Sequence, residues 1–404
     1  MGSLDAADAS HEMSILDERG IATIMGIGKA VPRHEFPQKS YPDYYFEITN
    51  SNHMVDLKAK FANICAKTEI EKRHLSDDTL RSTPSIRAHD SPSLTLRQEL
   101  SDAGLPELGA AAARAAIADW GRPASDVTHL VFATSCSGRM PGADRELAGL
   151  LKLLRPSTKR VMLYQAGFHG GAAALRLSKD IAENNPGARV LVVCAETCAL
   201  SLRGPSERRV GDLVGQAILG DAAGAVVVGA RPIGAGERAG VFELVAAAQE
   251  TVPGTEEALV ATLREEGIVY GLRRDIPAHV SAAVKRLVDG VLLLRREATA
   301  PELLEMDEVF WVVHPGGRGI LDRVEGCLGL SQEKLAASRA VMRQYGNTRC
   351  SSVVLVMEEM RRRSAERGLR TAGEGLEYGF VVGYGPGITV EAILLRAIPN
   401  KAIA

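Results

Sequence analysis

The stretch Tyr164-Gln165-Ala166-Gly167-Phe168-His169-Gly170-Gly171-Ala172-Ala173-Ala174-Leu175-Arg176 decides how the chain is read. A strand-like run from Arg160 to Tyr164 meets a tight glycine turn at Gly167, and an alanine-rich helix follows. The first residue past such a turn sits at a helix N-terminus, where free N–H groups and the positive end of the dipole face outward. A thiolate or another anion is stabilised there, so the position is a natural seat for a nucleophile. The seat holds Phe168, followed by His169. A phenyl ring packs, but it cannot attack a carbonyl.

Outward from this stretch, strand and helix patterns alternate. Ala110 to Trp120 reads as a helix, Thr128 to Thr134 as a buried strand, and Gly142 to Leu154 as a helix. After the strand around Val161 and the helix through Asn184 comes a valine-rich strand, Arg189 to Cys194. Such alternation predicts an α/β protein with a parallel or mixed sheet covered by helices. Upstream, residues 1–20 read as a loose arm and Ile21 to Gly28 as a strand. Gly26-Ile27-Gly28 resembles the opening of a dinucleotide fingerprint, but the third glycine is missing and Val31-Pro32 follows, so it reads as a strand-ending turn. Leu57 to Lys67 has helical spacing with Lys58, Lys60 and Lys67 on its polar side: a solvated face, or cations for a phosphate-bearing ligand. Residues 76–100, rich in Ser, Thr, Asp, Pro and Arg, read as a long surface excursion.

A second set of elements begins near Val241. Helices are expected over Ala278 to Leu294, Leu321 to Leu328 and Ser351 to Arg363, and strands over Val309 to His314, Phe380 to Val382 and Thr389 to Arg396. The two sets look like copies. His129 to Thr134 matches Val309 to His314, and roughly thirty residues later Tyr164 to Phe168 matches Gln344 to Asn347, each followed by a helix. Phe168 and Asn347 then occupy equivalent helix starts, with His314 at a strand end beside them.

Composition excludes several classes. Of 404 residues, 46% are apolar and 24% charged, and the net charge of −2 offers no attraction to nucleic acid or an anionic membrane. No run of about 18 apolar residues suggests a membrane span. The polar, acidic start lacks a signal-peptide core, so a cytoplasmic location is expected. The cysteines Cys65, Cys136, Cys194, Cys198, Cys327 and Cys350 form no CxxC pair, and no metal site is expected.

Several ordered motifs carry a resemblance that runs from about Ile21 to Arg396. They include Met140-Pro141-Gly142-Ala143-Asp144, Arg160 to Tyr164, Leu202-Arg203-Gly204-Pro205 and Leu213 to Asp221. Further on come Trp311-Val312-Val313-His314-Pro315-Gly316-Gly317, Tyr345-Gly346-Asn347 and Gly383-Tyr384-Gly385-Pro386-Gly387. The chain resembles the plant chalcone synthase superfamily, the type III polyketide synthases of the thiolase fold. That resemblance implies two pseudo-symmetric βαβαβ halves in a five-layered αβαβα arrangement. The N-terminal half would span residues 21–240 with the degenerate nucleophile position, and the C-terminal half residues 241–404 with the His/Asn site.

The family uses a Cys, a His and an Asn. The His matches His314 and the Asn matches Asn347, whereas the Cys falls on Phe168 in a gapless alignment. A shifted alignment would pair Phe168 to Gly171 with the residues after the Cys and delete it, and both versions leave no thiol. The family's gatekeeper phenylalanines correspond to Leu219 and Tyr270. Of its CoA-binding cations Lys60 and Lys67 are present, with Asn63 in place of the Arg between them. Arg349 stands where a small residue is usual, and Met140, which in the family reaches into the partner's cavity, is retained. The resemblance also places His169, Cys198 and Ser201 along the substrate cavity, and it implies a homodimer. Met140 as a plain core residue is the alternative if no dimer forms.

Without a thiol, iterative extension should be very slow or nil, because nothing holds the growing acyl chain. A single condensation is still expected. Decarboxylation of a 3-oxo acid or malonyl unit gives an enolate that attacks an acyl-CoA directly and yields a β-diketone. His314 and Asn347 would stabilise the oxyanions, and Arg349 would steer the carboxylate. Leu219 and Phe168 suit a long acyl chain. CoA thioesters are thus expected as substrates, with no covalently bound cofactor. The competing expectation is a non-catalytic dimer partner whose Phe168 fills the cavity. An acyl-imidazole on His169 would be labile, which favours a hydrogen-bonded core role for that residue.

Overall fold

Valine-rich runs such as Val190 to Val193 and Val226 to Val228 have no exposed surface, as strands covered on both faces require. They belong to a computed structural model that describes residues 20–76, 83–152, 155, 157–230, 237, 239–298 and 305–400. The expected arm lies outside the described residues apart from Gly20.

In chain order the strands are β1 (Ala22–Ala30), β2 (Glu35–Pro37), β3 (Lys72–His74), β4 (His129–Thr134), β5 (Lys159–Tyr164), β6 (Arg189–Glu196) and β7 (Ala222–Ala230). Then follow β8 (Phe242–Thr251), β9 (Leu259–Arg264), β10 (Gly267–Leu272), β11 (Phe310–Val313), β12 (Tyr378–Gly385) and β13 (Thr389–Ala397). The helices used below are α1 (Tyr41–Ile48), α2 (Val55–Ala66), α3 (Leu94–Trp120), α4 (Ala143–Leu150) and α5 (Gly170–Asn184). They continue with α6 (Asp212–Ile218), α7 (Ile276–Ala298), α8 (Arg318–Leu328), α9 (Ala336–Tyr345) and α10 (Ser352–Glu366).

The main sheet has nine strands in the order β11-β12-β13-β8-β1-β7-β6-β4-β5. Read from β8 outward and from β1 outward, it repeats one pattern. β8–β13 and β1–β7 are antiparallel, β13–β12 and β7–β6 are antiparallel, and β12–β11 and β6–β4 are parallel. Among the described residues the strands of the two blocks pair at Thr23↔Glu243 and Ile24↔Phe242. Helices α3 and α4 cover the outer face of the block holding β4 and β6, and α7, with α8 packed on it, covers the block holding β12 and β13. Helices α5 and α10 touch strands of both blocks and each other. The result is the expected αβαβα order of a thiolase-like fold.

Symmetry breaks at one edge. Among the described residues β5 has no counterpart beyond β11, and α9 stands before Asn347 where a strand stands before Phe168. Other differences from the sequence reading have local causes. Gly26 and Gly28 lie inside β1 and end nothing. A Cβ on them would come within 2.3 Å of the Ala116 carbonyl and 2.4 Å of the Ala112 carbonyl, so they let the strand press against α3. The excursion over 76–100 is cut short because α3 already begins at Leu94 and tolerates Pro106 inside it. Arg97, fully buried, ties that first turn to the carbonyls of Ala199 (2.7 Å), Leu202 (2.6 Å) and Ile86 (3.1 Å). The helix expected over Gly142 to Leu154 ends at Leu150, and Leu154 lies outside the described residues.

Candidate active site

Phe168, His314 and Asn347 are brought to one cavity of about 480 Å³, whose wall also includes Leu219 and Tyr270. Each arrives at the end of a regular element. His314 follows β11, and its N–H continues the parallel ladder by donating to the Val382 carbonyl at 2.9 Å. The Tyr384 hydroxyl donates to the His314 carbonyl at 2.9 Å and accepts from the Gly316 N–H at 3.0 Å, so β12 fixes the turn that carries the imidazole. The Tyr384 ring stands edge-on to the imidazole at 5.0 Å, and the Phe168 ring is tilted against it at 6.0 Å. Between those rings His314 has no exposed surface, and neither ring nitrogen has a hydrogen-bond partner. Burial, helped by the nearby His169, lowers its pKa to about 3, so the ring is a neutral donor–acceptor at physiological pH.

Asn347 is pinned more tightly. Its N–H donates to the Ile218 carbonyl at 2.8 Å and its carbonyl accepts from the Gly220 N–H at 3.1 Å, which bridges it to Leu219. The side-chain Oδ1 accepts from the Arg349 N–H at 2.9 Å, while Nδ2 donates to the Gly316 carbonyl at 3.2 Å. A carboxamide carries two N–H groups, so one remains for a ligand.

Phe168 sits in the single 3₁₀ turn Gly167–His169 that opens α5, reached through Gln165 (φ 63°) and Gly167 (φ 64°). The turn that sequence reading placed at Gly167 is therefore real, and the seat it creates is filled by a ring. Phe168 also touches Tyr270, with centroids 5.9 Å apart.

The chalcone and stilbene synthase family models match this chain, the N-terminal domain over residues 10–232 and the C-terminal domain over residues 243–399. The chain belongs to the chalcone and stilbene synthase family. Members of that family are type III polyketide synthases, a class of acyltransferases, which acts in general on acyl-CoA and malonyl-CoA.

Among the described residues no cysteine borders the cavity. The Cys136 thiol donates to Glu196 Oε2 at 3.0 Å and the Cys350 thiol to the Ala133 carbonyl at 3.4 Å. Burial pushes the Cys198 thiol well above its usual range, with the Asp221 carboxyl adding to the rise. Cys198 and Ser201, expected along the cavity, do not border it; the Ser201 hydroxyl donates to the Cys198 carbonyl at 3.4 Å. His169 is also outside the cavity, with Nδ1 3.9 Å from Glu391 Oε1. That carboxylate is already clamped by both Arg176 Nε (2.9 Å) and Nη2 (3.0 Å).

Arg349 requires a correction. It does not line the cavity and is only 1% exposed, with Nε 3.3 Å from Glu196 Oε2. Buried away from the lining, it is not placed to steer a carboxylate in the cavity. Met140 is 93% exposed, which excludes both the core role and a place in this chain's own cavity.

The mouth is cationic. Lys67, just past the end of α2, borders it, while Lys60 and Asn63 lie exposed on α2, outside the lining. Sequence reading missed Arg273, Arg274 and Arg318, which also border the cavity. Arg273 pairs with Asp275, and Arg318 with Glu69 at 3.0 Å and Asp322 at 3.4 Å. Lys67 and Arg274 have no ion-pair partner among the described residues, so both are free for an anionic group. The tandem arginines directly after β10 were the available signal.

Among the described residues no cluster of His, Cys, Asp or Glu is placed to hold a metal ion, and no helix is long and apolar enough to cross a membrane.

Proposed function

We propose that this family member joins an acyl-CoA to an enolate in one decarboxylative condensation, without an acyl-enzyme. The observation that carries the reading is the pairing of a neutral, unpartnered His314 with the spare Asn347 N–H on one wall of an apolar cavity that holds no thiol. The mouth cations Lys67 and Arg274 suit the phosphates of CoA, and the apolar lining suits a pantetheine-borne acyl group. A 3-oxo acid, or a malonyl unit, loses CO₂, and the electron pair of the broken C–C bond forms the enolate. Its carbon attacks the thioester carbonyl, the new C–C bond forms, and the C–S bond breaks to release CoA thiolate, which takes a proton from solvent. With a 3-oxo acid the product is a β-diketone. His314 and Asn347 donate to the enolate oxygen and then to the tetrahedral oxyanion, a contribution of about 10²–10³ in rate per donor. Because Phe168 covers the imidazole, its ring must rotate for the substrate to reach His314.

A second reading is supported by that same cover. The Phe168 ring, wedged between His314 and Tyr270, leaves the imidazole with no exposed surface, as expected of a non-catalytic partner subunit. We also propose a homodimer formed at the β5 edge, where Val161 and Tyr164 are 36% and 41% exposed and β4 pairs only one side of the strand.

Incubation with an acyl-CoA and a 3-oxo acid should release CoA and form the diketone, while intact-mass analysis shows no acyl adduct. A stable adduct would overturn direct attack. Absence of CoA release, together with co-purification of an active family member whose products change, would establish the partner role instead.

A further inference from the structure

Helix α6 and its cap residue Leu219 form part of the cavity wall, and the carbonyls at this helix end show what holds Asn347. The Leu219 N–H makes the last helical bond, to the Gly215 carbonyl at 3.0 Å. The carbonyls of Gln216, Ala217, Ile218 and Leu219 are then left without helical partners, as at any helix C-terminus. Each finds a donor elsewhere. Arg73 Nη1 donates to Gln216 at 2.9 Å and to Leu219 at 2.7 Å, and Gln38 Nε2 donates to Ala217 at 2.7 Å. The fourth carbonyl, that of Ile218, accepts from the Asn347 N–H at 2.8 Å. One helix end is thus shared between a buried side-chain pair and the main chain of a site residue.

The pair arrives already oriented. Arg73 belongs to β3 and Gln38 directly follows β2, so the small two-stranded sheet delivers both, with Arg73 opposite Phe36. Arg73 Nε donates to Gln38 Oε1 at 3.0 Å, which leaves the Gln38 amide nitrogen for Ala217. The guanidinium carbon lies 4.1 Å from the centre of the Tyr41 ring, and both side chains are buried. A positive charge also suits the carbonyl end of a helix. Asn347 meets this assembly at two further points. Its carbonyl accepts from the Gly220 N–H at 3.1 Å, and a Cβ on the preceding Gly346 would lie 2.9 Å from Arg73 Cδ. We infer that Arg73, oriented by Gln38, is a positioning residue for Asn347. By closing the end of α6 it fixes the turn at Leu219 and Gly220, and that turn holds the Asn347 main chain so that the spare amide N–H keeps its aim. The inference rests on the oxyanion role proposed for Asn347, although the link between the two residues does not need turnover to be seen.

Arg73→Lys keeps the charge but loses the planar fork that serves Gln38 and two carbonyls together. Gln38→Met is the milder variant, removing the orienting amide while Arg73 stays. Arg97→Lys takes the same fork from the first turn of α3 and serves as the control for lost stability alone. With isotope-labelled asparagine, the nuclear magnetic resonance signal of the Asn347 side-chain amide is the one that Asn347→Ala removes. That signal should move in Arg73→Lys, move less in Gln38→Met, and stay in place in Arg97→Lys even where the urea midpoint falls as far. With acyl-CoA and a 3-oxo acid, Arg73→Lys should lower kcat for CoA release by about ten-fold at unchanged KM, the cost of a small misplacement. In the Asn347→Ala background it should cost nothing more, because two residues acting through one amide are not additive. An unmoved amide signal, an equal shift in Arg97→Lys, or fully additive rate losses overturn the inference. If the signal moves as expected while the wild type releases no CoA, the positioning link stands and the condensation reading falls.

Discussion

Two helix starts meet at the centre of this molecule, and they differ in what they deliver. α5 is entered through Gln165 and Gly167, and α10 through Gly346 (φ 70°) and Arg349 (φ 54°), so both use left-handed residues to turn sharply into the helix. The two starts press together so closely that a Cβ on Gly171 would lie 2.0 Å from the Cys350 carbonyl. On the α10 side, Asn347 is held through four hydrogen bonds and keeps one N–H free. On the α5 side, the equivalent position carries a phenyl ring that only packs. A backbone geometry can thus outlast the reaction step it serves elsewhere, because glycine turns and strand pairing do not depend on the side chain at the seat.

The sharpest way to break this asymmetry is Phe168→Cys. A thiol at the start of α5 would meet the N-terminal N–H groups and an imidazole no longer covered by the phenyl ring, so the variant is expected to gain acyl loading from acyl-CoA, from none to near-stoichiometric. Intact-mass spectrometry reads it directly; an unloaded variant across several acyl-CoAs would mean that cavity access is lost as well. Next in size are the two donors. His314→Ala and Asn347→Ala should each lower CoA release by about 10²–10³ in the wild-type background. An unchanged rate in His314→Ala would remove that residue from the chemistry. The Asn347 variant should also lose stability, since its amide bridges Gly316 and Arg349, whereas His314→Ala breaks no side-chain hydrogen bond.

Burial makes a third test. Both central histidines have depressed pKa values, His314 to about 3 and His169 in the same direction, chiefly through desolvation. The unfolded chain takes up these protons near the usual value of about 6.5, whereas the folded one refuses them. Stability therefore falls as pH drops below about 6.5 and keeps falling towards 3, by about 1.4 kcal/mol per pH unit for His314. Denaturant midpoints measured from pH 7 to 4 should fall less steeply in His314→Phe; parallel slopes in the two proteins would contradict a neutral imidazole.

The α/β alternation, the glycine turn at Gly167 and the gathering of Phe168, His314 and Asn347 in one place were legible because each leaves a local trace: periodicity, a φ-positive glycine, or a motif. What stayed hidden depends on distant contacts. Residues 94–100 read as loop because the Ser-, Asp- and Pro-rich segment just before them masks a helical turn whose stability comes from Arg97 meeting three carbonyls. Gly26 and Gly28 carry the signal of a turn, yet their role is to admit α3, which sequence spacing cannot reveal. Arg349 could be identified as unusual but not oriented, since a left-handed φ at a non-glycine residue has no sequence signature. The mouth cations Arg273, Arg274 and Arg318 gather only after β10 and the turn beyond β11 fold against α2.

The smallest effect concerns the two turns themselves. Gly167 and Gly346 share a left-handed φ, so alanine at either costs about 1–2 kcal/mol from backbone strain alone. Their surroundings differ. A Cβ at Gly346 would lie 2.5 Å from the Ile218 carbonyl, which is itself bonded to Asn347, and 2.9 Å from Arg73 Cδ, in a side chain fixed by its own hydrogen bonds. A Cβ at Gly167 would meet only the edge of the Pro386 ring, at 2.8 Å. Gly346→Ala should therefore be the more destabilising by about 1 kcal/mol or more, because main chain yields less readily than a ring edge. Urea midpoints of the two variants decide it. Equal losses would show that the start holding Asn347 is no more rigid than the start holding Phe168, and that the contrast between them lies in side-chain chemistry alone.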